Sequence, residues 1–98
     1  MNRINGVFME LIKGTVVISR AGRDKGHALA VVGSADGYIL VADGKERPLA
    51  RPKKKNPIHL TATKKTVDVE SVSDKALRRA LREAVNTGAD EELVSFDA

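Results

Sequence analysis

The stretch Gly14–Gly33 constrains the fold most, because two runs of apolar and β-branched residues there flank a short charged segment that contains glycine. Apolar runs of about four to eight residues that are bounded by turn-forming residues are typical of strands. The two runs predict strands over Thr15–Arg20 and Ala28–Val32, with Leu29 and Val31 facing the core.

The segment between the two runs predicts a tight loop with a basic tip. Gly22 and Gly26 can adopt positive φ angles without steric cost, so the chain can reverse there. Arg23 and Lys25 stand at the tip with Asp24 between them. Cations next to exposed backbone amides suit a phosphate backbone. The alternative is a solvated turn whose charges only keep a sheet edge soluble.

Short strands are also predicted beyond Gly33. The apolar run Tyr38–Ala42 predicts a buried strand, in which Tyr38 is interpreted as a core residue with base stacking as the alternative. Asp43-Gly44 predicts a two-residue hairpin turn, followed by an edge strand over Lys45–Ala50 and a last short strand over residues 58–62. About five short strands at turn spacings of roughly 8–12 residues predict a mainly β protein, a small barrel.

After the predicted barrel, the sequence predicts one helix. Ser71-x-x-Asp74 fits a capping pattern at its start, and Ser73 is an alternative N-cap. An apolar stripe follows at helical spacing and predicts packing on the barrel; its members are Ala76, Leu77, Ala80, Leu81, Ala84 and Val85. Lys75, Arg78, Arg79 and Arg82 form the other side, interpreted as a solvated face with an RNA contact as the alternative, and Gly88 ends the helix. The predicted division is a lead-in (1–13), the barrel (14–70), the helix (71–88) and an acidic tail (89–98).

Charge is unevenly distributed along the 98 residues. Residues 1–65 contain 13 Lys and Arg against 5 Asp and Glu, a net charge of +8, whereas residues 66–98 contain 4 against 8, a net charge of −4. This asymmetry indicates a polyanionic partner for the front part. There is no cysteine and no apolar run of about 18 residues, so we expect a cytoplasmic protein without disulfides and without a membrane partner.

The segment Arg47–Lys55 is a second basic feature. It contains five cations, and its prolines disfavour a helix, so we expect the cations not to pair locally. The pattern predicts a phosphate-binding loop, and the alternative is a solubilising loop or linker.

These residues also resemble a family. The pattern Gly14-x-Val16-Val17-Ile18-x-x-Ala21-Gly22-x-x-Lys25-Gly26 resembles the KOW motif of ribosomal and transcription-elongation proteins, with Gly26 as its signature glycine. A wider similarity runs through Val41–Lys45, Arg51–Lys55 and Ile58–Leu60. It resembles the archaeal and eukaryotic large-subunit ribosomal proteins grouped as fourteen-e, six-e and twenty-seven-e, which have bacterial KOW-domain relatives. Leu29 departs from the motif, since many members have a glycine there. The resemblance implies an SH3-like barrel that binds ribosomal RNA.

The residues themselves favour recognition of an RNA backbone. Only Phe8, Tyr38 and Phe96 are aromatic, so the stacking platform of single-strand binders is missing. No helix-turn-helix or zinc-finger spacing indicates a DNA reader. Structured RNA, with large-subunit ribosomal RNA implied by the resemblance, is therefore the expected partner. The predicted RNA-binding residues are Arg20, Gly22, Arg23, Lys25, Gly26, His27, Arg47, Arg51, Lys53, Lys54 and Lys55.

Catalysis and metal binding are not predicted. His27 and His59 have no zinc-site spacing, and the glycine-containing loop lacks the Gly-Lys-Ser/Thr ending of a Walker A sequence. We therefore expect no enzyme, no metal and no cofactor, and a monomer when free. The alternative function is a protein-interaction module of the translation or transcription machinery, which would use the barrel or the helix and in which ribosomal proteins are possible partners.

Overall fold

A computed structural model describes residues 11–86 and shows a mainly β protein with one helix. Its elements are β1 (Thr15–Ser19), β2 (Ala28–Ala35), β3 (Tyr38–Ala42), β4 (Lys53–Lys55), the 3-10 turn η1 (Pro57–His59), β5 (Leu60–Thr66) and α1 (Asp74–Ala84). The predicted class, with five strands and a C-terminal helix, is confirmed. Most of the predicted lead-in, the helix stop at Gly88 and the acidic tail lie outside the described residues.

The five strands form one antiparallel sheet in the order β4-β3-β2-β1-β5. The last strand thus returns to pair with the first, while β4 and β5 are the two open edges. Leu60 and Ala62 of β5 pack against the same buried cluster as Ile39 and Val41 of β3, although two strands separate them in the sheet. The sheet therefore wraps around a common core, which is compatible with the predicted small SH3-like barrel.

Both faces of the central strands are buried, which explains their continuous apolar runs. Val17, Leu29 and Val31 belong to the inner core, as predicted for the last two. On the other face, Val16 and Ala30 belong to a second cluster, which is completed by the helix residues Leu77, Leu81 and Ala84. A strand covered on both faces needs apolar residues at successive positions rather than at every second one. The predicted packing of the helix on the barrel is confirmed.

The predicted edge strand over Lys45–Ala50 is wrong, because the fourth strand is Lys53–Lys55. Carboxylates capture the backbone amides that such a strand would use. Asp43 Oδ1 accepts hydrogen bonds from the amides of Lys45 (2.8 Å) and Arg47 (2.9 Å). Asp74 Oδ1 accepts one from the amide of Leu49 (2.7 Å). Aspartate side chains that bind nearby amides compete with ladder hydrogen bonds in this way.

The hairpin predicted at Asp43-Gly44 is wrong, and the two-residue turn of the sheet lies between β2 and β3. Asp36 (φ 55°) and Gly37 (φ 82°) connect β2 to β3, and two successive positive φ angles are those of a type I′ turn. Gly44 has a positive φ angle (79°) for another reason. A Cβ atom there would overlap the carbonyl oxygen of Asp74, so glycine allows α1 to pack closely on this connection.

The helix begins after Ser73, so the alternative N-cap is confirmed and the start at Ser71 is wrong. Ser73 Oγ accepts a hydrogen bond from the Ala76 amide at 3.1 Å. Such a bond satisfies one of the amides that have no partner within the first helical turn. Ala76, which was predicted on the apolar stripe, is exposed. Within residues 11–86, no helix is long and apolar enough to span a membrane.

Candidate nucleic-acid interface

The segment of residues 20–27, named here the glycine loop, is closed by backbone hydrogen bonds. The Gly26 amide donates to Ser19 O (2.8 Å), and the His27 amide donates to Asp24 O (2.8 Å). Gly22 (φ 79°) and Gly26 (φ 86°) both have positive φ angles, as predicted for the chain reversal. The loop is therefore a defined turn that presents its tip in a fixed conformation.

The tip of the glycine loop is exposed and positively charged. Arg23, Lys25 and His27 are all exposed. Among the residues that the structure describes, no acceptor receives a hydrogen bond from the amides of Gly22 or Arg23. Backbone N–H groups in such turns bind anions, so the tip combines point charges with amide donors.

The acidic residue of the loop, Asp24, is directed inward and does not neutralise the exposed tip. Asp24 is 4% exposed, and its Oδ2 lies 3.5 Å from Nη2 of Arg47. Asp24 Oδ2 and Arg47 Nε are both buried without a hydrogen-bond partner in the described residues. The ion pair attaches the glycine loop to the connection after β3. Arg47, a predicted RNA-binding residue, is thus engaged within the protein.

Lys55 makes a second attachment between the glycine loop and the rest of the barrel. It is 7% exposed, and its Nζ donates a hydrogen bond to the carbonyl oxygen of Ala21 at 3.0 Å. The two residues are 34 positions apart. A buried ammonium group requires such partners, because burial of an unpaired charge is costly. Lys55 therefore holds the loop in place, and its ammonium group is not exposed for binding.

The remaining cations of the basic segment are more accessible, although the segment is not wholly the loop that was predicted, since Lys53–Lys55 form β4. Arg51 and Lys54 are exposed, and Lys53 is half-buried. The prediction that Tyr38 lies in the core is wrong, because its side chain is 43% exposed. It is the first residue of β3, and Lys54 Nζ lies 5.6 Å from the centroid of its ring. This distance allows a cation–π interaction.

Arg20, the remaining predicted site residue, is exposed at the start of the glycine loop. Its amide donates a hydrogen bond to the carbonyl oxygen of His59 at 2.7 Å, which attaches the loop to η1. Within residues 11–86, no three His, Cys, Asp or Glu side chains are grouped as a metal site requires.

The structure therefore brings the two predicted basic segments together and divides their residues into two roles. Lys55 and Arg47 make internal contacts that join the segments. The others present charge at the surface or, as glycines, shape the loop. Sequence reasoning missed this division, because the pattern of charges does not show which cation has a buried partner.

No protein-family model matches this chain, and a search of curated proteins also found no match. The KOW assignment thus stays a prediction from the motif residues.

Proposed function

We propose that this protein binds structured RNA through its phosphate backbone, using the glycine loop and the basic segment at β4. One observation carries the proposal: the two basic segments predicted from the sequence, the glycine loop and Arg47–Lys55, are joined by the contact of Lys55 with Ala21 and by the Asp24–Arg47 pair. The proposal includes association with ribosomal RNA of the large subunit, which the resemblance implies, and a cytoplasmic location.

Binding would be mainly electrostatic. Exposed arginine and lysine side chains neutralise phosphates and release counterions, which makes affinity strongly dependent on salt. A Cβ atom added at Gly26 would meet no atom within 4 Å, so the backbone of the loop is open to a close approach from outside. The amides of Gly22 and Arg23 supply uncharged donors for phosphate oxygens.

Recognition of the backbone is favoured over base stacking. Tyr38 is the only aromatic residue in the described part of the chain, and Lys54 lies over its ring. Proteins that hold single strands without sequence preference use several aromatic side chains for successive bases. A surface with many cations and one partly covered ring is better suited to phosphates and to the shape of folded RNA.

The test uses fluorescence anisotropy with a labelled RNA hairpin of about 20 base pairs, at several salt concentrations. We expect the variant Lys53→Gln/Lys54→Gln to bind more weakly, with a salt-dependence slope reduced by about 1 for each lysine that contacts a phosphate. Lys55 is left unchanged because it holds the glycine loop.

The matched control is Lys13→Gln/Lys64→Gln, which removes the same charge elsewhere. Lys13 forms a surface pair with Glu70 at 2.8 Å, and Lys64 is exposed on β5. The control should bind like the wild type, apart from a small effect of net charge. No binding by the wild-type protein at low salt would refute the proposed function, and equal losses in both variants would remove the β4 segment from the site.

A second candidate function, a protein-interaction module, is favoured by an apolar groove away from the glycine loop. This groove of about 420 Å³ is formed by residues that precede β1 and by the β2–β3 hairpin, among them Leu11, Ile12, Tyr38 and Ile39. Ile12 is 60% exposed. Absorbance at 260 nm distinguishes the two functions: co-purified nucleic acid supports RNA binding, whereas nucleic-acid-free protein in a complex with another protein supports the module.

A further inference from the structure

Helix α1 presents a cationic face that the proposed interface does not include. Lys75, Arg78, Arg79 and Arg82 are exposed and, with Ser73 and Ala76, line a groove of about 290 Å³. Within residues 11–86, none of these four cations forms an ion pair with a carboxylate. The sequence favoured a solvated face and left an RNA contact as the alternative, and exposure alone does not distinguish the two.

A second groove connects this face to the glycine loop. It measures about 340 Å³ and has Gly26, His27 and Ala28 on one side and Arg78, Leu81 and Arg82 on the other. Arg78 and Arg82 thus line both grooves. The groove therefore runs from the cationic face of the helix to the end of the glycine loop at Gly26 and His27.

Packing fixes the helix relative to the glycine loop through the connection between β3 and β4. At Gly44 the connection lies against the helix backbone, since a Cβ atom there would come within 3.1 Å of the Arg78 amide nitrogen. Three residues further along, Arg47 pairs with Asp24 of the glycine loop. Lys45, between these two contacts, also lines the second groove and adds a cation to it.

The chemistry of the second groove suits a nucleic-acid strand. Its rims carry Arg78, Arg82 and Lys45, and its apolar part includes Ala28 and the 4%-exposed Leu81. Arginine forks bind phosphate in a bidentate manner, and a small apolar floor can accept sugars. Among residues 11–86, Asp43 is the one acidic residue that lines this groove, and its Oδ1 already accepts hydrogen bonds from two backbone amides.

We propose that the RNA interface extends from the glycine loop onto α1, with the RNA backbone lying in the second groove and its phosphates held by Arg78 and Arg82. This proposal rests on the proposed function. An acidic peptide is the competing occupant, but the groove reaches the glycine loop at Gly26 and His27, which favours a long polyanion that extends from α1 to the loop.

The test compares Arg78→Gln/Arg82→Gln with wild type and with the Lys13→Gln/Lys64→Gln control, using the same RNA hairpin. The counterion-release slope corresponds to roughly eight-fold in affinity for each phosphate contact at about 0.1 M salt. We expect the affinity of the double variant for the hairpin to fall on the order of 50-fold. The slope of its logarithm against the logarithm of salt concentration should decrease by about 2. Arg78→Lys/Arg82→Lys keeps the charge and should keep most of the slope. Thermal unfolding checks that the variants remain folded.

The outcomes separate this proposal from the proposed function. Wild-type affinity in Arg78→Gln/Arg82→Gln, together with a loss in Lys53→Gln/Lys54→Gln, would overturn the extension onto α1 and leave the proposed function standing. No binding of the hairpin by the wild-type protein would overturn both. A labelled polyglutamate peptide that binds the wild type and not Arg78→Gln/Arg82→Gln, with hairpin affinity unchanged, would assign the face to an acidic protein and also overturn the extension.

Discussion

Replacement of Gly44 by alanine tests how α1 is attached to the sheet. Gly44 has a φ angle of 79°, and a Cβ atom there would overlap the carbonyl oxygen of Asp74 in the first turn of the helix. The same Cβ atom would lie 3.0 Å from the Asp74 carbonyl carbon and 3.1 Å from the Arg78 amide nitrogen. These are backbone atoms, so the helix or the connection must move to accommodate the new methyl group.

The expected destabilisation has two parts. Alanine in the left-handed region costs about 1–2 kcal/mol relative to glycine. Displacement of packed backbone adds about 1–3 kcal/mol, which is typical of overpacking. Alanine also restricts the unfolded chain, which offsets about 0.4–1 kcal/mol. The free energy of unfolding should therefore fall by about 2–4 kcal/mol.

Gly37→Ala is the matched control, since Gly37 has nearly the same φ angle (82°) but no atom within 4 Å of the position of a new Cβ. Gly37→Ala has the conformational cost of alanine at a positive φ angle but no steric overlap. We therefore expect its free energy of unfolding to fall by about 1 kcal/mol. Urea unfolding followed by circular dichroism measures both variants. With a slope of about 2 kcal/mol per M, the midpoint of Gly44→Ala should lie about 1 M below that of Gly37→Ala. Equal midpoints would refute the close packing of α1 on Gly44.

Two further predictions concern buried polar contacts. Thr63 Oγ1 donates to the carbonyl oxygen of Val16 at 2.7 Å, where the β1–β5 register shifts, so Thr63→Val should destabilise the fold by about 1–3 kcal/mol in urea unfolding. Thr66→Val, at an exposed position on the same strand, is the control. An equal fall in its free energy of unfolding would contradict a stabilising role of the Thr63–Val16 hydrogen bond. Lys55→Met removes the donor to the Ala21 carbonyl oxygen, so amide exchange in the glycine loop should accelerate on the order of ten-fold. Unchanged exchange would mean that other contacts hold the loop.

The sequence predicted correctly those features that depend on one residue type or on neighbouring residues. The positive φ angles of Gly22 and Gly26, the inward positions of Leu29 and Val31, and the helix over the Leu77 stripe were all predicted correctly. Each depends on the conformational range of one residue type or on the spacing of apolar residues within a few turns.

The remaining features depend on contacts between distant parts of the chain. The strand predicted over Lys45–Ala50 is absent because the carboxylates of Asp43 and Asp74 capture its amides, and Asp74 is 25 residues away from its partner. Likewise, Lys55 is indistinguishable in sequence from Lys54, yet it is buried against the glycine loop. A run of lysines shows the amount of charge but not which member has a partner in the fold.

The most direct test of RNA binding on the ribosome is sedimentation of a cell lysate through sucrose gradients at low and high salt, with the protein detected in each fraction. We expect the protein to migrate with the large ribosomal subunit at low salt and to be released at high salt, because counterions compete for the phosphates. The Lys53→Gln/Lys54→Gln variant should be released at a lower salt concentration than the wild type. Protein found only at the top of the gradient under both conditions would contradict binding to ribosomal RNA.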